Sequence, residues 1–230
     1  MTTISDNLQQ VRARVGQACQ KAGRPIGSVT LLAVSKTYGP DAVRQAHAAG
    51  QLAFGENYIQ EAVEKIQALR DLPLQWHCIG PVQSNKTRLV AENFDWIHSV
   101  DRIKIAQRLS EQRPDGRAPL NVCIQVNVDG GSNKAGVAPA EALALARAVA
   151  ALPRLALRGV MTIPEPAPDF ETACEVHRQT RSLFDALLEQ GLPLDTLSMG
   201  MSADLEAAVM SGSTMVRVGT AIFGTRSKPA

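Results

Sequence analysis

The 230-residue chain has few aromatic residues: five Phe, two Trp and two Tyr. That is too few to build a surface on which nucleic-acid bases stack. It also has no surplus of one charge. Lys and Arg number 24 against 22 Asp and Glu, a formal net charge of +2. Both signs are scattered along the chain, which excludes a nucleic-acid binder working through bulk charge. No stretch reaches the roughly 18 apolar residues of a membrane span. The richest one, 143–157, is interrupted by Arg147, Pro153 and Arg154. The start, Met1-Thr2-Thr3-Ile4-Ser5-Asp6, lacks the basic residues and apolar run of a secretory signal. Cys19, Cys78, Cys123 and Cys174 lie far apart with no C-x-x-C. They read as small core residues of a reduced, cytoplasmic compartment, not as a disulfide framework. Asn85-Lys86-Thr87, a glycosylation sequon in form, is then a chance match. Absent too are G-x-S-x-G, Walker, G-x-G-x-x-G and H-E-x-x-H patterns, so hydrolase, P-loop, dinucleotide and zinc readings lose support.

What is present is an alternation. Apolar residues make up 45% and charged residues 20%, an ordinary globular balance. Ile4, Leu8, Val11, Val15, Ala18 and Ala22 step by four and three, which predicts a helix over 4–22; Gly23 and Pro25 end it. Short apolar runs then alternate with helical patterns. Strands are predicted at 29–34, 51–54, 74–79, 96–99, 121–128, 155–163, 196–199 and 214–218. Helices are predicted between them, with Asp101 capping one of them. Eight strand–helix units imply a parallel sheet. They fit a single domain over residues 1–230, a compact (β/α)8 TIM barrel in the α/β class. A doubly wound sheet is the alternative. The first helix is extra, either packed on the barrel or mediating a weak homodimer.

In a barrel, ligands bind at the carboxyl ends of the strands. Polar residues cluster there. Strand one ends in Ser35-Lys36-Thr37, strand two in Gly55-Glu56-Asn57 and strand three in His77-Cys78-Ile79-Gly80. Strand six ends in Met161-Thr162, strand seven in Ser198-Met199-Gly200-Met201-Ser202, and strand eight in Arg217-Val218-Gly219-Thr220. Lys36 follows a buried strand, where desolvation lowers an amine's pKa and frees it as a nucleophile. Schiff-base formation is the matching chemistry. Alone, Lys36 reads as a lysine that extends past the strand end; its polar company shifts it towards a site. Gly219 lets backbone N–H groups approach an anion, and Thr220 adds a hydroxyl. Ser202 is expected to begin the helix after strand seven, where phosphate is favoured. Phosphate sites of barrels lie after strands seven and eight. Arg217 needs a partner: a carboxylate such as Glu56, or a ligand ring nitrogen. Asn57 either bonds a ligand or caps a helix. His77 and His98 read as hydrogen-bonded structural residues, and His47 and His177 as surface residues. The 129–136 loop, with Lys134, reads as a solvated flap.

The segments LLAVSKTY (31–38), FGENYIQE (54–61), WHCIGPVQSNK (76–86), IHSVDR (97–102), IQVNV (124–128) and LSMGMSADLEAAVMSGSTMVRVGTAIFG (197–224) resemble the YggS/PROSC family, the pyridoxal phosphate homeostasis proteins. The resemblance spans nearly the whole chain, in order. It implies a fold-type-III barrel for pyridoxal 5′-phosphate (PLP), like the N-terminal domain of alanine racemase. It implies a covalent internal aldimine of PLP at Lys36, Arg217 facing the pyridine nitrogen, and Ser202, Gly219 and Thr220 holding the phosphate. Asn57 is then near the ring. Cys78 stands where phenylalanine is common, and the 132–136 loop departs from the usual Ser-Lys-Ser-Gly, so Lys134 is given no role.

The resemblance also bears on catalysis. An arginine beside the ring stays charged and does not promote protonation of the ring nitrogen, so carbanion stabilisation is weaker. Racemases of this fold take a second acid/base from a second domain. The chain ends about ten residues after Thr220, so no such domain is expected. No catalytic or metal-binding residue is assigned. The expectation is a PLP carrier or buffer whose partners are PLP-dependent apoenzymes, with no nucleic acid or membrane partner. The alternative is a PLP-dependent racemase-like enzyme of small amino acids.

Overall fold

A computed structural model describes residues 3–131 and 135–224; Lys134 lies outside them. The short apolar runs form β1 (Thr30–Val34), β2 (Ala53–Glu56), β3 (Gln75–Cys78), β4 (Trp96–Val100), β5 (Leu120–Gln125), β6 (Leu155–Met161), β7 (Thr196–Ser198) and β8 (Met215–Val218). Each pairs in parallel with the next, and β8 returns to β1 with Arg217 opposite Leu32. The sheet is a closed barrel, so the doubly wound alternative is ruled out.

The helices are α1 (Ile4–Lys21), α2 (Pro40–Ala48), α3 (Ile59–Ala68), α4 (Thr87–Asn93), α5 (Ile103–Gln112), α6 (Ala142–Ala150), α7 (Phe170–Glu189), α8 (Leu205–Met210) and the single turn α9 (Thr220–Phe223). α1 starts at a capping box in which Thr3 and Asp6 satisfy each other's backbone N–H. It buries Leu8, Val11, Val15 and Ala18 and packs on the barrel against α2, α8 and α9. Arg14–Glu206 (2.8 Å) and Asn7 to the Ile222 carbonyl (2.9 Å) fix it there. Among the described residues no helix is long and apolar enough to cross a membrane.

A strand's period of two sends alternate side chains to opposite faces. Phe54, Trp76, Ile97, Val122 and Val216 point outward into the main core under the helices. The barrel interior is filled differently. Leu32, Val34, Ala53, Ile79 and Met215 form one small apolar cluster, and Trp96, Cys123 and Met161 another. Between them lie His77, His98, Ser198 and Arg217, all at most 4% exposed. His98 on β4 and Ser198 on β7 are not neighbours in the sheet, yet they lie within hydrogen-bond distance at 2.9 Å. They can meet only inside the barrel.

Several boundaries differ from the sequence reading. β2 runs over 53–56, because Gln51 is a buried turn residue donating to the Leu31 and Ala53 carbonyls. β5 stops at Gln125, where Val126 turns to bridge Val137. α8 begins at Leu205 behind Asp204, so Ser202 stands in the preceding turn and does not open the helix. Asp101 does not cap α5. The cap position is Arg102, one residue later, and Asp101 pairs with its guanidinium at 3.1 Å. His177 is buried, not on the surface, because it bonds Asp204 at 2.9 Å. All four cysteines are free and buried, in line with a role as small core residues.

Candidate functional site

At the carboxyl ends of the strands lies a cavity of about 380 Å³, within the range of small-molecule sites. Its walls bring together Lys36, Asn57, Ser202, Arg217, Gly219 and Thr220. All six residues singled out in the sequence share one cavity. Tyr38 joins them, donating its O–H to the Gly224 carbonyl at 2.7 Å. Beside it, a second cavity of about 330 Å³ lies between the 164–170 loop, α7 and α8.

On the β1 side, alternation points Val34 into the barrel and Ser35 outward, so the half-buried Lys36 turns back towards the mouth. Ser35 Oγ donates to Glu56 Oε1 at 2.6 Å. Lys65 Nζ, on α3, reaches the same oxygen at 2.6 Å and the Ser35 carbonyl at 2.9 Å. It also meets Glu61 Oε1 at 3.2 Å, which accepts the Thr37 N–H at 2.8 Å. Backbone groups on both sides of Lys36 are therefore tied to one ion-pair network. Thr37 sits at φ +69°, a left-handed conformation that costs a β-branched residue about 1–2 kcal/mol. Burial pushes the Glu56 carboxyl up, against the pull of Lys65 and Ser35. Its Oε2 has no hydrogen-bond partner among the described residues.

Arg217 does not pair with Glu56. β2 alternation sends Glu56 outward with Phe54, towards α3, while β8 alternation sends Arg217 inward with Met215. The guanidinium instead donates from Nη1 to Ser198 Oγ at 2.7 Å and from Nη2 to the Thr162 carbonyl at 2.8 Å. Burial pulls it down to about 10, so it stays charged at neutral pH. Behind it, Ser198 Oγ lies 2.9 Å from His98 Nδ1, and His98 Nε2 lies 2.9 Å from His77 Nδ1. His77 Nε2 ends the chain at Gln75 Oε1, 3.0 Å away. Burial holds His77 down at about 3 and His98 well below the usual histidine range, so both imidazoles are neutral.

The β7–β8 corner carries Ser202, Gly219 and Thr220. A Cβ on Gly219 would lie 3.1 Å from the Val34 carbonyl oxygen, so glycine lets this turn close tightly on β1. Thr220 opens the single turn α9, in which the Ile222 and Phe223 N–H groups both donate to the Gly219 carbonyl at 2.9 Å. Asn57 is held from below. A Cβ on Gly80 would sit 2.2 Å from the Asn57 carbonyl oxygen, so only glycine permits this approach of the β3 end. Asn57 Oδ1 is buried with no hydrogen-bond partner among the described residues, an acceptor with capacity for a ligand.

Sequence reading missed Lys65 and Tyr38. Tyr38 follows Lys36 by two residues, which is a usable signal. Lys65 has none, since Glu61 and Lys65 at i,i+4 read as an exposed helix pair.

The chain matches the alanine racemase N-terminal domain model over residues 6–227. It is 60% identical over 226 residues to the pyridoxal phosphate homeostasis protein of Pseudomonas aeruginosa, covering 98% of this chain and 97% of that protein. Its fold is similar to that of PipY of Synechococcus elongatus with PLP bound: TM-score 0.84, 40% identity, 96% of this chain and all (100%) of that one. Alanine racemase of Clostridium difficile shares the fold at 17% identity and TM-score 0.73. The match covers 97% of this chain but 58% of the racemase.

Proposed function

The chain belongs to the pyridoxal phosphate homeostasis protein family, built on the alanine racemase N-terminal domain, and from that premise we propose that it binds PLP reversibly at the barrel mouth and buffers or supplies it to apoenzymes. The observation that carries the reading is one cavity holding two basic side chains of different character, the half-buried Lys36 and the buried Arg217. The residues fit the group: an amine, a fixed guanidinium, two hydroxyls beside a glycine turn, and the orphaned Asn57 acceptor. When bound, PLP supplies an aldehyde that condenses reversibly with an amine. Lys36 is the amine we assign. Arg217 would face the ring nitrogen, Ser202, Gly219 and Thr220 would hold the phosphate, and Asn57 would lie beside the ring.

This set favours holding over turnover. Arg217 remains protonated and so does not hand a proton to the ring nitrogen, which leaves the site a weak stabiliser of carbanions. The buried free cysteines fit a reduced compartment, and we assign the protein to the cytoplasm. One observation favours the second reading, a racemase-like enzyme: Tyr38 places a phenol in the same cavity, although its proton is engaged by Gly224.

PLP titration followed by absorbance and borohydride tests the first reading. The wild-type protein should gain a visible band and, after reduction, one PLP of mass on the peptide holding Lys36. Lys36→Ala should lose both; an unchanged spectrum would remove Lys36 from its role. Incubation with L-amino acids in deuterated buffer separates the two readings, because stereospecific α-proton exchange at enzyme-like rates would establish the second.

A further inference from the structure

The interior of the barrel contains a feature that PLP binding alone does not require. From Arg217 a line of hydrogen bonds runs through Ser198, His98 and His77 to Gln75. Gln75 is exposed at the opposite end of the barrel, the first residue of β3. The line crosses the barrel from β8 and β7 to β4 and β3, and His77 stacks on Trp96 at 5.2 Å with the rings 10° apart.

The protons on this line can be assigned. Arg217 has donors and no acceptor, so Ser198 Oγ must accept from it. Gln75 meets His77 through its carbonyl oxygen, so His77 Nε2 carries a proton. A neutral His77 then accepts at Nδ1, and His98 must donate from Nε2. That leaves His98 Nδ1 as an acceptor, and Ser198 has one proton to give it. Every proton finds an acceptor, and every bond points away from Arg217. In the reverse direction Ser198 would accept from both His98 and Arg217, and its own proton would lack a partner on the line.

We propose that His98 and His77 are positioning residues for Arg217, forming with Ser198 and Gln75 a one-way hydrogen-bond chain that fixes the plane of the guanidinium facing the cavity. Ser198 and the Thr162 carbonyl anchor one nitrogen each. Ser198 accepts from Arg217 in either direction, but its hydroxyl is held in one orientation only when His98 takes its proton, and His98 Nδ1 can take it only while the His98 proton sits on Nε2 and is accepted by His77. The remaining Arg217 donors then point to one place, without the rotamer freedom an arginine otherwise has. The consequence for PLP rests on the reading above; the proton assignment does not.

Two measurements test this. Nitrogen-15 NMR of the PLP-free protein at pH 7 should show both imidazoles protonated at Nε2 only, with a scalar coupling across the His98 Nε2–H to His77 Nδ1 bond. A proton on Nδ1 of either ring would overturn the chain. In the second, His98→Phe removes the acceptor for Ser198 and should weaken PLP binding about tenfold and move the absorbance maximum of bound PLP. His98→Asn returns an acceptor towards Ser198 and should recover most of both. Loss of thermal stability in His98→Phe, with PLP affinity and spectrum unchanged, would reduce His98 to packing and overturn the proposal. If His98→Phe does not fold, the NMR assignment decides. A wild-type protein that fails to bind PLP overturns the functional reading alone, since the chain is still judged on the PLP-free protein.

Discussion

On the β1 side of the cavity the protein fastens the backbone around Lys36 and leaves the side chain half-buried. On the β8 side it buries Arg217 and fastens the side chain itself. The two strands are paired neighbours, so the difference is not one of depth in the sheet. It lies in which face each supporting group uses. The brace for Lys36 is charged, lies outside the barrel under α3, and grips Ser35 and Thr37. The support for Arg217 is neutral, lies inside the barrel, and ends on guanidinium nitrogens. An amine that must form and break a bond gains from a fixed root. A guanidinium that must only present donors gains from losing its freedom.

The charged brace is where the largest effect is expected. Lys65→Met strands Glu56, at 1% exposure, without its cation. Removing one partner of a buried ion pair costs about 3–5 kcal/mol. Urea unfolding should show a loss of that size, and Lys65→Met combined with Glu56→Leu should recover most of it. A loss under about 1 kcal/mol would mean that the Lys36 side is not held by this pair.

The same contrast separates what the sequence disclosed from what it hid. The barrel was legible because eight apolar runs alternate with helical periods, and the site because Lys36, Arg217 and the Gly219-Thr220 turn sit at strand ends. Both supports were hidden. The placement of Glu56 depends on β2 starting at Ala53 and not at Gln51. A misplaced start leaves Glu56 beyond the strand, where a pair with Arg217 becomes the natural reading. His77 and His98 could be read as hydrogen-bonded, but the line through them could not be read: β3 and β4 are paired neighbours, whereas barrel closure and not sequence spacing brings Ser198 on β7 to His98. Lys65 was given no role, because nothing local tells a helix which of its charged residues will meet a strand end.

The neutral side should respond to acid more than to salt. In the folded protein His77 sits at about 3, against about 6.5 for an unfolded histidine. Between those values the unfolded chain binds a proton that the folded chain refuses, so stability falls as pH falls. The loss begins near pH 6.5 and continues to about 3. At pH 5 it amounts to about 2 kcal/mol for each such histidine, and His98 shifts in the same direction. The depressed carboxyls of Asp204 and Glu206 add their own losses nearer pH 4, a lower window. Urea midpoints at pH 7 and pH 5 measure the effect. A His77→Phe variant should show a smaller difference between the two pH values. An equal difference would mean that His77 is protonated in the folded barrel, and the neutral side would no longer be neutral.

The smallest effect on stability lies at Thr37, and it sharpens the comparison most. Thr37→Gly removes the left-handed penalty of about 1–2 kcal/mol and adds about 0.5–1 kcal/mol of unfolded-chain entropy. Stability should therefore rise by about 1 kcal/mol or less. The glycine also frees the backbone that follows Lys36, while the ties of Lys65 to Ser35 and Glu56 remain. If a fixed root is what the β1 side provides, PLP affinity should fall a few-fold even as the protein becomes slightly more stable. Arg217, whose supports are all on other elements, should be unaffected, so the absorbance maximum of bound PLP should stay in place. Opposite changes in stability and affinity would separate bracing from packing, because a residue that merely packs moves both in the same direction. A Thr37→Gly protein that gains affinity along with stability would show that the left-handed turn hinders Lys36, and the asymmetry between the two sides would lose its functional meaning.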